Sequence, residues 1–244
     1  MIKLAMGMMV CGSLVACGGV TQAPVATLGA LHTCEGGVAR SEAELLPFQR
    51  CALISGDLAV SGVTSLSALS QLRVVSGTLS LANTRVEELT DLGSLARVGR
   101  LELRGNSHLF GLAGLSHLAD AREVVIDGNP ELRTLDGLSG LRSLERLSIQ
   151  GTSLYSLHGV ENLSKVNEID LVGNRKLIDP RALNQVREAH TVVIRQNPRL
   201  CAQFGLLAGL QHAERVSLSQ NLALDRSAVL RLVAAREHAT LASR

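Results

Sequence analysis

Seven histidines, five cysteines and 22 carboxylates are the groups of this 244-residue chain from which chemistry would have to come. His32, His108, His117, His158, His190, His212 and His238 include no pair in HxxxH or HExxH spacing, so no helix face offers a metal its ligands. Nucleophile-elbow, phosphate-loop and dinucleotide fingerprints are absent as well. Ser139, set among Gly137, Leu138 and Gly140, lacks elbow spacing and reads as a turn residue; His108 and His117 read as surface loop residues. Asp127 and Asp170 fall in strands two repeats apart, about 9–10 Å by strand spacing, near the separation of a glycosidase pair. Such a pair needs one carboxyl with a raised pKa, and the arginines sharing that face work against it. Neither a catalytic residue, nor a metal site, nor a cofactor is expected, and a hydrolase is the remote alternative.

Composition narrows the partners. Hydrophobic residues make up 46% but aromatics only 2%, with no Trp, so a core must be built from many small layers of Leu, Val, Ile and Ala. Aromatic platforms for bases or sugars are scarce. A net charge of +2, spread along the chain, gives no reason to expect nucleic acid.

The elements that would position any site repeat. The first inward strand residues align as Leu58, Leu79, Leu101, Val124, Leu147, Ile169, Val192 and Val216, at separations of 21, 22, 23, 23, 22, 23 and 24 residues. Two residues later come Val60, Leu81, Leu103, Ile126, Ile149, Leu171, Ile194 and Leu218. Asn83, Asn106, Asn129, Asn174, Asn197 and Asn221 end most strands and read as a turn ladder, with Gly62 and Thr152 in their place in two copies. A return arm follows with Leu at every third residue (Leu135, Leu138, Leu141 and their equivalents) and degrades after Asp179-Pro180. No copy buries its apolar side alone, whereas stacked copies share one core. The expected fold is mostly β: a right-handed parallel β-solenoid of about eight repeats of 21–24 residues, with turns or short 3₁₀ segments opposite the sheet.

Both ends of such a stack need lids. Ser41 and Glu44 form a capping box for a short N-terminal helix between Cys34 and Cys51, two cysteines able to close the cap as a disulfide in an exported protein. Zinc would need a second ligand pair. Cys201 reads as a buried thiol in a leucine-like position. Ala228, Val229, Leu232 and Val233 share one helical face and predict a C-terminal cap helix.

Met1–Cys17 starts with Lys3, carries an apolar run too short to span a bilayer, and ends Leu14-Val15-Ala16-Cys17. It resembles a bacterial lipobox, which implies cleavage before Cys17 and lipidation of its thiol; ordinary secretion with a nearby cut is the other reading. Gly18 rather than Asp after the cysteine implies the outer membrane by the enterobacterial sorting rule. The domain reading is therefore 1–16 signal peptide, 17–33 lipidated Cys and flexible tether, 34–51 cap, 52–224 solenoid, and 225–244 cap helix and tail.

The LxxLxxLxLxxN-like skeleton resembles bacterial leucine-rich repeats. The Gly-x-Leu-x-Leu strands (Gly56 to Val60, Gly77 to Leu81), the Asn-Pro-x-Leu turns (Asn129 to Leu132, Asn197 to Leu200) and the placing of Cys51 and Cys201 are similar to receptor L domains. The resemblance covers about residues 34–221 and implies architecture; no kinase, Cys-rich module or transmembrane helix accompanies it.

Outward strand residues would then form columns. Arg100, Glu123, Arg146 and Glu168 alternate in sign, and with Glu102, Arg104, Val125, Asp127, Asp170, Val172, Val193 and Arg195 they make the candidate binding face, its three valines expected to be exposed. The functional expectation is a non-catalytic envelope lipoprotein, membrane-held through its lipid, that binds a protein ligand, with a glycan as the second ligand class. A structural spacer without a specific ligand is the alternative.

Overall fold

The computed structural model describes residues 32–201 and 205–224. The expected signal peptide, Cys17, most of the expected tether, the expected C-terminal cap helix and His238 lie outside the described residues. Nine strands follow one another: β1 (His32–Ala39), β2 (Cys51–Ser61), β3 (Val74–Ala82), β4 (Arg97–Arg104), β5 (Asp120–Asp127), β6 (Ser143–Gln150), β7 (Lys165–Val172), β8 (Glu188–Arg195) and β9 (His212–Ser219). They form a single sheet in chain order, and every neighbouring pair is parallel.

β2 to β9 are the eight copies aligned by sequence, and β1 is one strand more. It was hidden because Gly37 and Ala39 pair with Leu58 and Val60, where the other copies carry large inward residues. The space left at Gly37 is taken from a distance: a Cβ there would lie 3.5 Å from the Phe48 ring. The expected cap helix is Glu42–Leu45, with Ser41 Oγ accepting from the Glu44 amide and the Glu44 carboxylate accepting from the Arg40 amide at 2.8 Å. Glu42 Oε1 accepts from the amide (2.7 Å) and hydroxyl (2.8 Å) of Thr64, tying the cap to the next coil. Cys34 and Cys51 are disulfide-bonded, with 5.7 Å between their Cα atoms.

Opposite the sheet, the return arm folds into 3₁₀ turns at Ser67–Leu69, Thr90–Leu92, Ala113–Leu115 and Asp136–Leu138. The arm does not end at Pro180. A further 3₁₀ turn, Arg181–Gln185, follows, and Pro180, Leu183 and Val186 keep the three-residue step with all three buried. The amide of Leu183 bonds to Pro180 and that of Val186 to Leu183, as in the leucine arms. Proline is tolerated there because it precedes the turn, whose own hydrogen bonds begin at Leu183.

The turn ladder corrects the aligned register by one residue. Asn106 Oδ1 accepts from the Thr84 amide (2.9 Å) and its Nδ2 donates to the Leu81 carbonyl (2.9 Å). Asn129 treats Asn106 and Leu103 in the same way, Asn174 treats Thr152 and Ile149, Asn197 treats Asn174 and Leu171, and Asn221 treats Asn197 and Ile194. Thr84, not Asn83, is the member in its copy, and Val63 rather than Gly62 holds the place one copy earlier. Asn83 and Gly62 occupy the preceding position, where the chain turns through positive φ after each of β2 to β9, for example 68° at Gly62, 51° at Asn83, 62° at Gly105 and 58° at Gln196. Asparagine tolerates that region, so its type fits both positions and the sequence alone does not separate them.

Asn174→Ala strips the buried Thr152 amide and hydroxyl of their shared acceptor and is expected to cost about 2–4 kcal/mol. Asn83→Gly relieves a left-handed residue outside the ladder and should leave stability unchanged or raise it by up to about 1 kcal/mol. Urea unfolding of both variants checks the register; equal losses would contradict it.

Candidate recognition face

All twelve residues of the expected binding face lie on the outward side of this sheet, in columns fixed by register. Arg100, Glu123, Arg146, Glu168 and Thr191 are successive Cα partners, as are Glu102, Val125, Ser148, Asp170 and Val193 beside them. The third column runs Arg104, Asp127, Gln150, Val172, Arg195.

The charges do not form one unbroken alternating ladder. Arg100 bonds Glu123 at 2.8 Å and Glu102 at 3.0 Å, and Arg104 bonds the same Glu102 at 2.7 Å. Arg146 turns away from Glu123, its other strand neighbour, towards Glu168 (3.1 Å) and Asp170 (2.5 Å). Two clusters result, because a guanidinium's fork satisfies two acceptors best when they lie on one side of it. Arginines thus reach from the first column across the second, and Gln150 donates to Ser148 from the third. The central residues are consequently covered: Val125 is only 6% and Ser148 2% exposed. Val125 is therefore not an exposed apolar contact, while Val172 and Val193 are half-buried. The carboxyl of Glu102 feels burial, which raises its pKa, most strongly; hydrogen bonds from Arg104, Arg100 and Ser80 and the charge of Arg104 together outweigh it and hold the carboxyl below its ordinary value.

Asp170 is committed to Arg146, so with Asp127 it makes a charge-cluster neighbour rather than an acid–base pair. The densest titratable group elsewhere is His158, whose Nδ1 meets Glu161 and whose Nε2 lies 3.6 Å from Asp136, on the exposed return turns. Ser139 is the exposed cap of a 3₁₀ turn, its carbonyl accepting from Asn162 Nδ2 at 2.7 Å. His108 and His117 are exposed, as their loop setting implied. Cys201 is a free thiol but not an inward one: Leu200 fills the core position, and Cys201 stands one residue beyond it, partly exposed.

Residues 65–174 match the model of the leucine-rich-repeat domain of the endo-β-N-acetylglucosaminidase EndoS. No curated protein matches the chain. Among solved structures, internalin C2 from Listeria monocytogenes is similar at a TM-score of 0.50 and 17% identity, over 83% of this chain and 76% of that one. An internalin InlF from the same organism is 15% identical over 84% of this chain and 78% of that one, at a TM-score of 0.35. The chain is a leucine-rich-repeat-like solenoid.

A carboxyl whose folded pKa is depressed contributes stability above its unfolded pKa and loses it as pH falls through the folded value. Glu102→Gln should therefore be less stable than the parent at about pH 6, and the gap should close by about pH 3. Urea unfolding at the two pH values checks this; a gap that widens in acid would contradict it.

Proposed function

We propose that this protein is a non-catalytic binding module of the cell envelope, exported by residues 1–16, held to the membrane through lipid on Cys17, and recognising a protein partner with its outward sheet face. The observation that carries the reading is the preparation of that face. The strands space three columns of side chains at about 4.8 Å, and two ion-pair clusters already fix the arginines and carboxylates most costly to order. A partner meeting such a surface has little conformational entropy left to remove. The scarcity of aromatics favours protein over glycan as the ligand. Lys3, the short apolar run and Leu14-Val15-Ala16-Cys17 support export and lipidation, and Gly18 supports the outer membrane as destination.

A spacer role has one observation in its favour: the central charges satisfy one another, which suits a surface that only keeps the stack soluble and in register.

Metabolic labelling with palmitate tests the anchor: the parent should take up label and pellet with membranes, and Cys17→Ser should do neither. The soluble Cys17→Ser protein is then the bait for capture from envelope extracts, beside a folded bait with Arg100, Glu123, Arg146 and Glu168 all changed to Ser. A partner held by the first and lost by the second supports recognition on the sheet, capture by both moves the site elsewhere, and capture by neither favours the spacer.

A further inference from the structure

We infer that the end of the sheet formed by the last residues of β7 and β8, with the turns that follow them, is the docking site for an acidic segment of a protein partner. The inference rests on the sheet being a binding face and says which part of it binds, and what.

Four cations gather at this corner. Arg195 ends β8, beside Val172 of β7. Arg175 and Lys176 follow Asn174 in one turn, and Arg199 follows Asn197 in the next; all four are exposed. Lys176 and Arg199 hold equivalent places, each just before an inward leucine whose amide bonds to the carbonyl of the turn asparagine (Leu177 to Asn174 and Leu200 to Asn197, both 3.1 Å). The two turns are joined by the Cys201 amide on the Ile178 carbonyl at 3.0 Å, so the backbones that carry Lys176 and Arg199 run about one strand spacing, roughly 5 Å, apart.

No carboxylate among the described residues pairs with them. Between residues 153 and 224 the described carboxylates are Glu161, Glu168, Asp170, Asp179, Glu188 and Glu214. They are engaged with His158, Arg146 (twice), Arg181, Lys165 and His190 in that order. None of the four corner cations has a side-chain hydrogen bond or ion pair among the described residues; Arg100, Arg104 and Arg146 at the centre of the same sheet all have one, and Arg215 on β9 has none. The equivalent turns after β4 and β5 differ in kind: they carry His108 and Glu131, the latter paired with Arg133 at 3.1 Å. Like charges on neighbouring coils repel, and no ion pair among the described residues offsets the cost.

The small net charge of the chain is therefore not evenly spread in space. Arg195 lies between half-buried Val172 and Ser219 on the neighbouring strands, with half-buried Val193 and Ser217 two residues back, an aliphatic and hydroxyl floor continuous with the recognition face. Such a floor suits an extended peptide, with acidic side chains on the cations and its remaining contacts on the sheet; a lipid headgroup would use only the rim.

The test uses the full chain carrying Cys17→Ser and a labelled decapeptide rich in Asp and Glu, with a Ser-substituted copy as control, read by fluorescence anisotropy at about 50 mM salt. The parent should bind the acidic peptide and not the neutral one. A corner variant, Lys176→Ser with Arg195→Ser and Arg199→Ser, should bind about tenfold more weakly or worse, while melting no lower than the parent because repulsion has been removed. A control that removes three exposed cations away from both the corner and the recognition face, Arg73→Ser with Arg122→Ser and Arg142→Ser, should bind within about twofold of the parent. Equal binding by the corner variant, no binding by the parent, or binding to phosphatidylglycerol vesicles in place of the peptide each overturns the inference. In the envelope capture, a partner lost by the four-serine variant of the central sheet and kept by the corner variant overturns it too, and leaves the sheet-face reading standing.

Discussion

Turning the backbone at the end of each strand, inside the solenoid, is the problem on which the rest of the molecule depends. The chain leaves the sheet through a residue at positive φ and then buries polar groups that no strand pairs. An asparagine amide resolves this in coil after coil, taking one amide from the coil before and giving a hydrogen bond to a carbonyl of that coil. Each such bond lies in a dry setting where a missing partner would cost more than the bond itself contributes. The bonds also run between coils, so they lock the pitch of the stack. Where Thr84 and Thr152 take the place, their hydroxyls donate to the next asparagine, so each threonine heads a run of the ladder.

Pitch, once locked, governs the outer face. With coils in constant register, side chains of one column stand within reach of one another, and opposite charges find each other across strands and on diagonals. The same proximity that lets Arg100 and Arg146 each hold two carboxylates leaves Arg195 and its neighbours in the turns without an ion pair among the described residues. Self-neutralisation in the middle and uncompensated charge at one end are two outcomes of one geometry applied to different residues.

The two ends of the described sheet are handled differently. At the first strand, a disulfide, a four-residue helix and Phe48 close the edge, and Glu42 bonds the cap to the coil beyond. The large inward side chains of the repeats are replaced there by glycine and alanine, with an aromatic ring from the cap supplying the missing volume. At the ninth strand, the last described, Leu218 is partly buried.

The sequence by itself determined the repeat, its phase, the parallel sheet, the inward columns and the cap's helix and disulfide. Each depends on apolar periodicity or on local capping chemistry, and those signals are written residue by residue. Its limits fell where type and position part company. β1 was invisible because small residues carry no period, and the arm past Pro180 because proline and valine stood in for leucine. Asn83 was placed in the ladder because asparagine suits both a ladder and a left-handed turn. On the face, the columns were legible but the choice of partners was not. Which carboxylate an arginine takes, whether Val125 is covered, and which cations are left over depend on side-chain reach across coils some 22 residues apart. Only the tertiary structure decides that, because only stacking turns that separation into a few ångströms.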